Sequence, residues 1–180
     1  MEIGKIIKKN KINEKEIIFR YPKIEDVDDL LKLINSLVKE KAYITIQKQQ
    51  TKKEETEWFF KNLADLLNKK KVMIVVEIDN QVMGMGEIKV NSKNPYKGEL
   101  GISLRKEIRN LGIGKELIKE LLKVGKKELK LKLVLLYAMA PNKIALHTYK
   151  KCGFERVGEI KKGVLHYGKP LNQVIMVKYL

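Results

Sequence analysis

A strand, a loop and a helix follow one another near the middle of this chain and constrain its fold more than any other segment. The strand is predicted over Gly98–Leu104 (GELGISL), the loop contains Arg109–Lys115 (RNLGIGK), and a long amphipathic run follows. Glycine lets a backbone approach an anion closely, and the free N–H groups at a helix start point towards that anion. This segment therefore predicts a site that holds a diphosphate.

The length and composition are those of one well-packed domain. The 180 residues are 44% hydrophobic, and no interior stretch has the composition of a linker. Cys152 is the only cysteine, which excludes an internal disulfide and suits a reducing compartment. Apolar runs such as Leu133–Ala140 are too short to span a bilayer, and the N-terminus lacks the apolar core of a signal peptide. We expect a soluble, cytoplasmic protein without a membrane partner.

The strong basic charge has two explanations. A net charge of +16 is typical of proteins that bind nucleic acid, the ribosome or an anionic cofactor. It also arises in lysine- and glutamate-rich proteomes, where lysines scattered along helices form solvated faces. No nucleic-acid-binding motif accompanies the charge here. The compositional explanation is favoured, and nucleic acid stays open as a partner.

Local patterns predict a mixed order of strands and helices, β-α-α-β-β-β-α-β-α-β-β. The predicted elements are strand Lys15–Tyr21, helices Ile24–Lys41 and Thr51–Lys69, strands Val72–Glu77, Val82–Val90 and Gly98–Leu104, helix Leu111–Leu129, strand Leu131–Met139, helix Asn142–Lys151, and strands Phe154–Lys161 and Gln173–Tyr179. Residues 1–14 are charged and weakly patterned, so they form either an edge strand or an N-terminal extension. Residues 15–180 form the single domain.

A second landmark lies downstream of the diphosphate loop. It is Asn142-x-x-Ala145-x-x-x-Tyr149-x-x-x-Gly153-Phe154, and it follows Arg109-x-x-Gly112-x-Gly114. The chain has neither a Gly-x-Gly-x-x-Gly run after its first strand nor a Gly-Lys-Ser/Thr phosphate loop. The two landmarks together resemble the signatures of the GNAT superfamily, the acetyl-CoA-dependent N-acetyltransferases. The resemblance spans about residues 17–180.

The resemblance implies an α/β (α+β) fold and a cofactor. The fold would be a single GNAT-type domain whose mixed central sheet splays between two parallel strands, with helices on both faces. Acetyl-CoA (coenzyme A) would lie in the splayed gap, its pantetheine arm pairing with strand backbone and its pyrophosphate at the helix start. The implied cofactor-binding residues are Ile102, Ser103, Leu104, Arg109, Asn110, Leu111, Gly112, Ile113, Gly114, Lys115, Asn142 and Tyr149.

The resemblance also implies catalytic residues. Tyr149 would be the general acid, because a phenol within hydrogen-bond reach can protonate or stabilise a departing thiolate. Glu99 would be the general base, with Glu87 on the neighbouring strand as the rival. His147 and Cys152 fit surface and packing roles better. The attack would be direct, since no Cys/His grouping supports an acyl-enzyme, and no metal site is expected.

The acceptor is less well defined than the donor. The C-terminal pattern is similar to ribosomal-protein N-terminal, spermidine and small-amine acetyltransferases, although Asn172-Gln173 replaces an acidic residue common there. We expect an enzyme, an acyltransferase acting on a peptide N-terminus, an amino acid or another small amine. It would enter between segment 39–50 and the loops near 163–172. A non-catalytic acyl-CoA-binding regulator, a ribosome- or RNA-associated protein, and a homodimer stay open.

Overall fold

The computed structural model describes residues 1–12 and 14–180. The strands and helices are β1 (Ile6–Ile12), β2 (Lys15–Arg20), α1 (Val27–Lys39), α2 (Lys52–Leu67), β3 (Lys71–Ile78), β4 (Gln81–Asn91), β5 (Asn94–Leu104), α3 (Ile113–Glu128), β6 (Leu133–Met139), α4 (Lys143–Lys151), β7 (Glu155–His166) and β8 (Lys169–Tyr179). Short 3₁₀ turns, Ile24–Asp26 and Lys106–Ile108, precede α1 and α3.

The strands form one mixed sheet in the order β1-β2-β3-β4-β5-β6-β8-β7. Neighbouring strands are antiparallel except β5 and β6, which run parallel in the middle of the sheet. The predicted fold class, a mixed sheet with one central parallel pair, is therefore confirmed.

Helices cover both faces of the sheet. Met85 lines a cavity together with side chains of α1 and α2. At the next residue, Gly86, an added Cβ would meet Leu117 and Leu121 of α3. Because successive strand residues point to opposite faces, α3 covers one face and α1 with α2 the other. Almost the whole of β3 is buried between these two helical layers, and the apolar stripe of α3 is buried against the sheet.

The element boundaries differ from the sequence expectations at several places, and β5 begins at Asn94 rather than at the predicted Gly98. The predicted strand over Leu131–Met139 begins only at Leu133, because the Leu131 N–H is bonded to the carbonyl of Gly125. Lys130, just before it, has the positive φ that ends a helix in this way. The last two strands are longer than predicted and form one hairpin that reaches His166 and Lys169. Residues 6–12, whose structure the pattern left open, pair with β2 as an edge strand.

Candidate active site

The parallel strands β5 and β6 separate after a short paired stretch. Their register ends at Glu99 opposite Leu135, and beyond that point each strand pairs only with its outer neighbour. Ile102, Ser103 and Leu104 pair with β4 on one side, and their other side faces the gap. A backbone edge of this kind can pair with an extended ligand as it would with another strand.

The loop at the end of β5 delivers the start of α3 to the mouth of this gap. Asn110 and Gly112 both have positive φ, 63° and 79°, which turn the chain sharply into the helix. Gly112 is the N-cap and carries no side chain, so the first N–H groups of α3 are not capped by a side chain. A Cβ at Gly112 would meet nothing within 4 Å, so this side of the loop is open. The arrangement fits a diphosphate.

Gly114 serves a different purpose in the same turn. A Cβ at this position would approach the Leu104 side chain to 3.2 Å. Glycine therefore lets the first turn of α3 lie close to the end of β5, bringing the free strand edge and the helix start together. Ile113, between the two glycines, is fully buried and anchors the turn, whereas Leu111 is exposed.

The Arg109 side chain bonds to other residues of the protein rather than extending into solvent. Its guanidinium donates two hydrogen bonds to the carbonyl of Leu104, from Nε at 3.0 Å and from Nη2 at 2.8 Å. It also forms an ion pair with Glu40, which follows α1. In this structure Arg109 therefore fixes the end of β5 and the shape of the loop.

Tyr149 lies on α4 and is buried, with its ring edge-on to Phe154 at 6.1 Å between centroids. Burial raises the pKa of the Tyr149 phenol to about 12, with a smaller contribution from the Cys152 thiol. The phenol is therefore protonated at neutral pH and can only donate a hydrogen bond to a negatively charged partner.

The two glutamates proposed as the base have different surroundings. Glu99 is exposed and lies where β5 and β6 separate, opposite Lys89 on β4. Glu87 is half-buried, and one of its oxygens lies 2.6 Å from Nζ of the buried Lys71. Asn62 of α2 also binds that ammonium. Glu87 therefore neutralises a buried charge, which leaves Glu99 the freer of the two.

Most of the remaining predicted residues contact other parts of the protein. The Asn142 side chain accepts a hydrogen bond from the Ala145 N–H and so caps α4. Lys115 is half-buried in the first turn of α3, and its carbonyl lies 3.9 Å from the sulfur of Cys152. Burial raises the pKa of the Cys152 thiol, which keeps it protonated and weakly nucleophilic. His147 is exposed on α4.

Sequence reasoning missed Glu55 of α2, which is buried with 6% of its surface exposed. It lines a cavity of about 60 Å³ between α1, α2 and the sheet. Burial raises the pKa of this carboxyl from its ordinary value of 4.5 to about 7. Glu55 follows Glu54 and precedes Thr56 and Glu57, so its surroundings in the sequence indicate a solvated helix face. No local signal distinguishes it.

Segment 39–50 and the loops near 163–172 were predicted to flank the acceptor, and they are bonded to each other through residues 40–50 and the tip of the β7–β8 hairpin. The Gln47 amide donates to the Leu165 carbonyl and accepts from the Tyr167 N–H, both at 2.6 Å. The Tyr167 hydroxyl donates to the carbonyl of Val38 at 3.0 Å. The His166 ring stacks at a tilt on Tyr43, 5.3 Å away. The two segments therefore form a joined wall.

A larger cavity, of about 390 Å³, lies behind the loop. Its lining includes Ile17, Ile78, Met83, Ile108 and Leu111, so it is bounded by β2, β3, β4 and the loop rather than by the free edge of β5.

Residues 1–12 and 14–180 contain neither a cluster of metal ligands nor a membrane-crossing helix. No three His, Cys, Asp or Glu side chains in this part of the chain group together as metal ligands would. Within the same residues, no helix combines the length and the apolar character needed to cross a bilayer.

Solved structures share this fold at low sequence identity. RimL, a ribosomal L7/L12 alpha-N-protein acetyltransferase in complex with coenzyme A, superposes with a TM-score of 0.86 at 13% identity, covering 98% of each chain. A ribosomal-protein-alanine N-acetyltransferase from Brucella melitensis gives 0.80 at 22%, covering 90% of this chain and 99% of that one. The putative acetyltransferase yncA from Salmonella typhimurium, with acetyl-CoA, gives 0.80 at 16%, covering 91% and 94%.

Sequence comparison places the chain in a family. No curated protein matches it. A model described as the acetyltransferase (GNAT) family does match, over residues 37–154, which is more than half of the chain. This match includes the diphosphate loop and ends at Phe154 of the second landmark, so the resemblance predicted from the sequence is confirmed. The chain belongs to the acetyltransferase (GNAT) family.

Proposed function

We propose that this protein moves the acetyl group of acetyl-CoA to a primary amine by direct attack in a ternary complex. One observation carries the proposal: the unpaired edge of β5 leads directly to an uncapped helix start, between two diverging parallel strands. An extended arm that ends in a diphosphate would bind both features, and coenzyme A has this form. Two of the similar structures hold coenzyme A or acetyl-CoA.

The donor is held by backbone groups more than by side chains. Ile102, Ser103 and Leu104 would pair with the pantetheine arm as an added strand does. The N–H groups of residues 110–115 would bind the pyrophosphate at the helix start. Arg109 contributes two hydrogen bonds to the Leu104 carbonyl, which hold the loop against the end of β5. Asn142 orients α4, and thereby Tyr149, through its cap.

Tyr149 acts on the leaving group. A thiol has a pKa near 8.5, so full proton transfer from a phenol with a pKa of about 12 would be uphill by about 5 kcal/mol. Its contribution is therefore a hydrogen bond donated to the sulfur as negative charge develops there. A hydrogen-bond donor that is fixed in a buried position stabilises the transition state without having to reorganise.

The acceptor is a peptide N-terminus, an amino acid or another small amine. Glu99 is placed at the point where the strands separate, and its role as a base remains a prediction for which its position is the support. A Lys-like amine has a pKa of about 10.4 and an α-amine one near 7.7–8.0, so both carry a proton that must leave before attack.

Two glycines of equal backbone strain allow a sharp test of donor binding. Gly112 has φ 79° and Gly168, in the β7–β8 turn, has φ 78°, and a Cβ at either would meet nothing within 4 Å. Alanine therefore costs each site a similar amount, about 1–2 kcal/mol. Calorimetry should show at least fivefold weaker acetyl-CoA binding for Gly112→Ala and unchanged binding for Gly168→Ala. Equal affinity in both variants and the wild type would overturn the assignment of the loop.

A thiol-release assay then tests the chemistry. Wild-type protein with acetyl-CoA should release coenzyme A in the presence of some members of a panel of peptides, amino acids and small amines. Donor binding without release across the whole panel would favour an acyl-CoA-binding regulator instead.

A further inference from the structure

A small apolar cavity containing one carboxylate lies on the face of the sheet covered by α1 and α2. Leu30, Leu33 and Ile34 of α1 form one side, and Trp58 of α2 with Met85 of β4 forms another. Its volume of about 60 Å³ admits a few water-sized groups, because a single water needs only about 10–15 Å³ of such space. Glu55 is the one charged residue in the lining formed by the described part of the chain.

The Glu55 carboxylate has no charged partner within the described structure. Among residues 1–12 and 14–180, burial alone raises its pKa, with no contribution from a hydrogen bond or a charge, and its oxygens keep some contact with solvent because they are not fully buried. Lys52, one turn earlier on α2, is directed instead at Asp28 of α1, at 2.9 Å. Segment 40–50 contributes only the uncharged Ile46 and Gln50 to the lining. Burying a charge without a partner is costly, so a cation that enters this cavity from outside would be stabilised by the Glu55 carboxylate.

The position of the cavity relates it to the donor site. Ser103 is part of its lining and also belongs to the free edge of β5. Glu99 lies four residues earlier on the same strand, and the alternation of side chains places both on the same face of the sheet. The cavity therefore adjoins the strand along which the donor would lie, on the side from which an acceptor would come.

From these contacts we infer that the cavity receives the acceptor's ammonium group and that Glu55 pairs with it and takes its proton. This inference rests on the proposed function, because it assigns the acceptor side of the same reaction. It makes Glu55 a catalytic residue that contacts the substrate nitrogen and, in place of Glu99, takes its proton.

The transfer moves one acetyl group and two protons. Glu55 accepts one proton from R–NH₃⁺, leaving R–NH₂ with a free electron pair. The nitrogen bonds to the thioester carbonyl carbon, the C–S bond breaks, and the sulfur leaves with its electron pair. The second nitrogen proton moves to the sulfur as the amide forms, so one proton remains on Glu55 and is released to solvent. With a pKa of about 7, Glu55 is able both to accept and to release this proton at neutral pH.

The lining also selects among amines. An ammonium on an apolar carbon satisfies Glu55, whereas a free α-amino acid would bring a second carboxylate next to it in an apolar space. Among the acceptors proposed above, the cavity therefore favours a peptide N-terminus or an alkylamine, whose ammonium has no adjacent carboxylate, over a free amino acid. Glycinamide and glycine are a matched pair for this distinction, because they differ only in that group.

Trp58 is the only tryptophan of the chain, so its fluorescence reports on this cavity directly. Ethylammonium chloride should produce a saturable change in the Trp58 fluorescence of the wild type at pH 8, with sodium chloride as the ionic control. Binding should weaken at least tenfold in Glu55→Gln and stay unchanged in Glu57→Gln, an exposed glutamate of the same helix. It should also weaken roughly 30-fold at pH 5.5, where Glu55 is protonated and the amine still charged. At pH 7, glycinamide should bind at least tenfold more tightly than glycine.

The outcomes separate this inference from the proposed function. Equal ethylammonium affinity in the wild type and Glu55→Gln, or absence of saturable binding, would overturn the inference even if acetyl-CoA binds. Loss of thiol release in Glu55→Gln with unchanged acetyl-CoA affinity would support it. A protein that binds ethylammonium through Glu55 but fails to bind acetyl-CoA would overturn the proposed function and leave the cation site standing.

Discussion

Replacing Glu55 by glutamine should stabilise the protein, and by an amount that depends on pH. The carboxyl has a folded-state pKa of about 7 and an ordinary value of 4.5. This difference of about 2.5, at 1.36 kcal/mol for each tenfold change in proton affinity, corresponds to about 3 kcal/mol. Glutamine has a similar shape and never acquires the buried charge that causes this cost.

The direction of this pH dependence follows from the number of protons that the folded and unfolded states bind. Below pH 4.5 the carboxyl is protonated in both states and costs nothing extra. Between pH 4.5 and 7 the unfolded chain releases the proton while the folded protein keeps it, so the free energy of unfolding falls as pH rises. Glu55→Gln should therefore be more stable than the wild type by about 3 kcal/mol at pH 8, and by less than about 0.5 kcal/mol at pH 4.5.

Urea denaturation at both pH values measures this directly, and a thermal scan should show a rise of about 6–12 °C at pH 8 for a chain of this length. Glu57→Gln is the control, since its carboxylate is exposed on the same helix and should change stability little at either pH. A Glu55→Gln variant that is no more stable than the wild type at pH 8, or equally stabilised at both pH values, would refute the burial argument.

Three further substitutions test the site. Tyr149→Phe should slow thiol release by about 10²-fold with little change in stability, because one hydrogen bond to the leaving sulfur is lost; unaltered turnover would contradict the role. Glu87→Gln should lower the free energy of unfolding by about 3 kcal/mol, since the buried ammonium of Lys71 loses its carboxylate, while turnover of the folded fraction persists. Arg109→Lys should lower the unfolding free energy by about 1 kcal/mol and weaken acetyl-CoA binding, because lysine cannot make both hydrogen bonds to the Leu104 carbonyl. Unchanged affinity for acetyl-CoA would show that the loop does not need these hydrogen bonds.

The fold was largely predictable because its main elements have strong local patterns. The apolar run of β3, the helical stripe of α3 and the Asp79-Asn80 turn, where both residues have positive φ, each specify their own structure. The predicted family and the predicted enzyme class are confirmed by the family match. The edge strand β1 was left open because its lysines are equally typical of a solvated tail and of a protected sheet edge.

The candidate site was only partly predictable, because several of its charges are defined by contacts distant in the chain. Lys71 ends a run of three lysines that indicates a surface, yet packing against α2 and β4 buries it beside Glu87. Glu55 lies among acidic residues and becomes buried only because α2 packs against the sheet. The motif assigned Arg109 to the cofactor, whereas the structure also gives it Glu40, 69 positions earlier.

The bond between Gln47 and the β7–β8 hairpin joins stretches of chain that are 118 and 120 positions apart. Segment 40–50 has no regular structure of its own, so the hairpin acts as its external support. The residues proposed to hold the donor fall between Ile102 and Tyr149, so none of them takes part in this bond or belongs to the segment that it supports. Exchanging hairpin tips among related proteins should therefore shift Ile46 and Gln50 in the wall of the proposed acceptor cavity, while the residues proposed to hold the donor keep their positions.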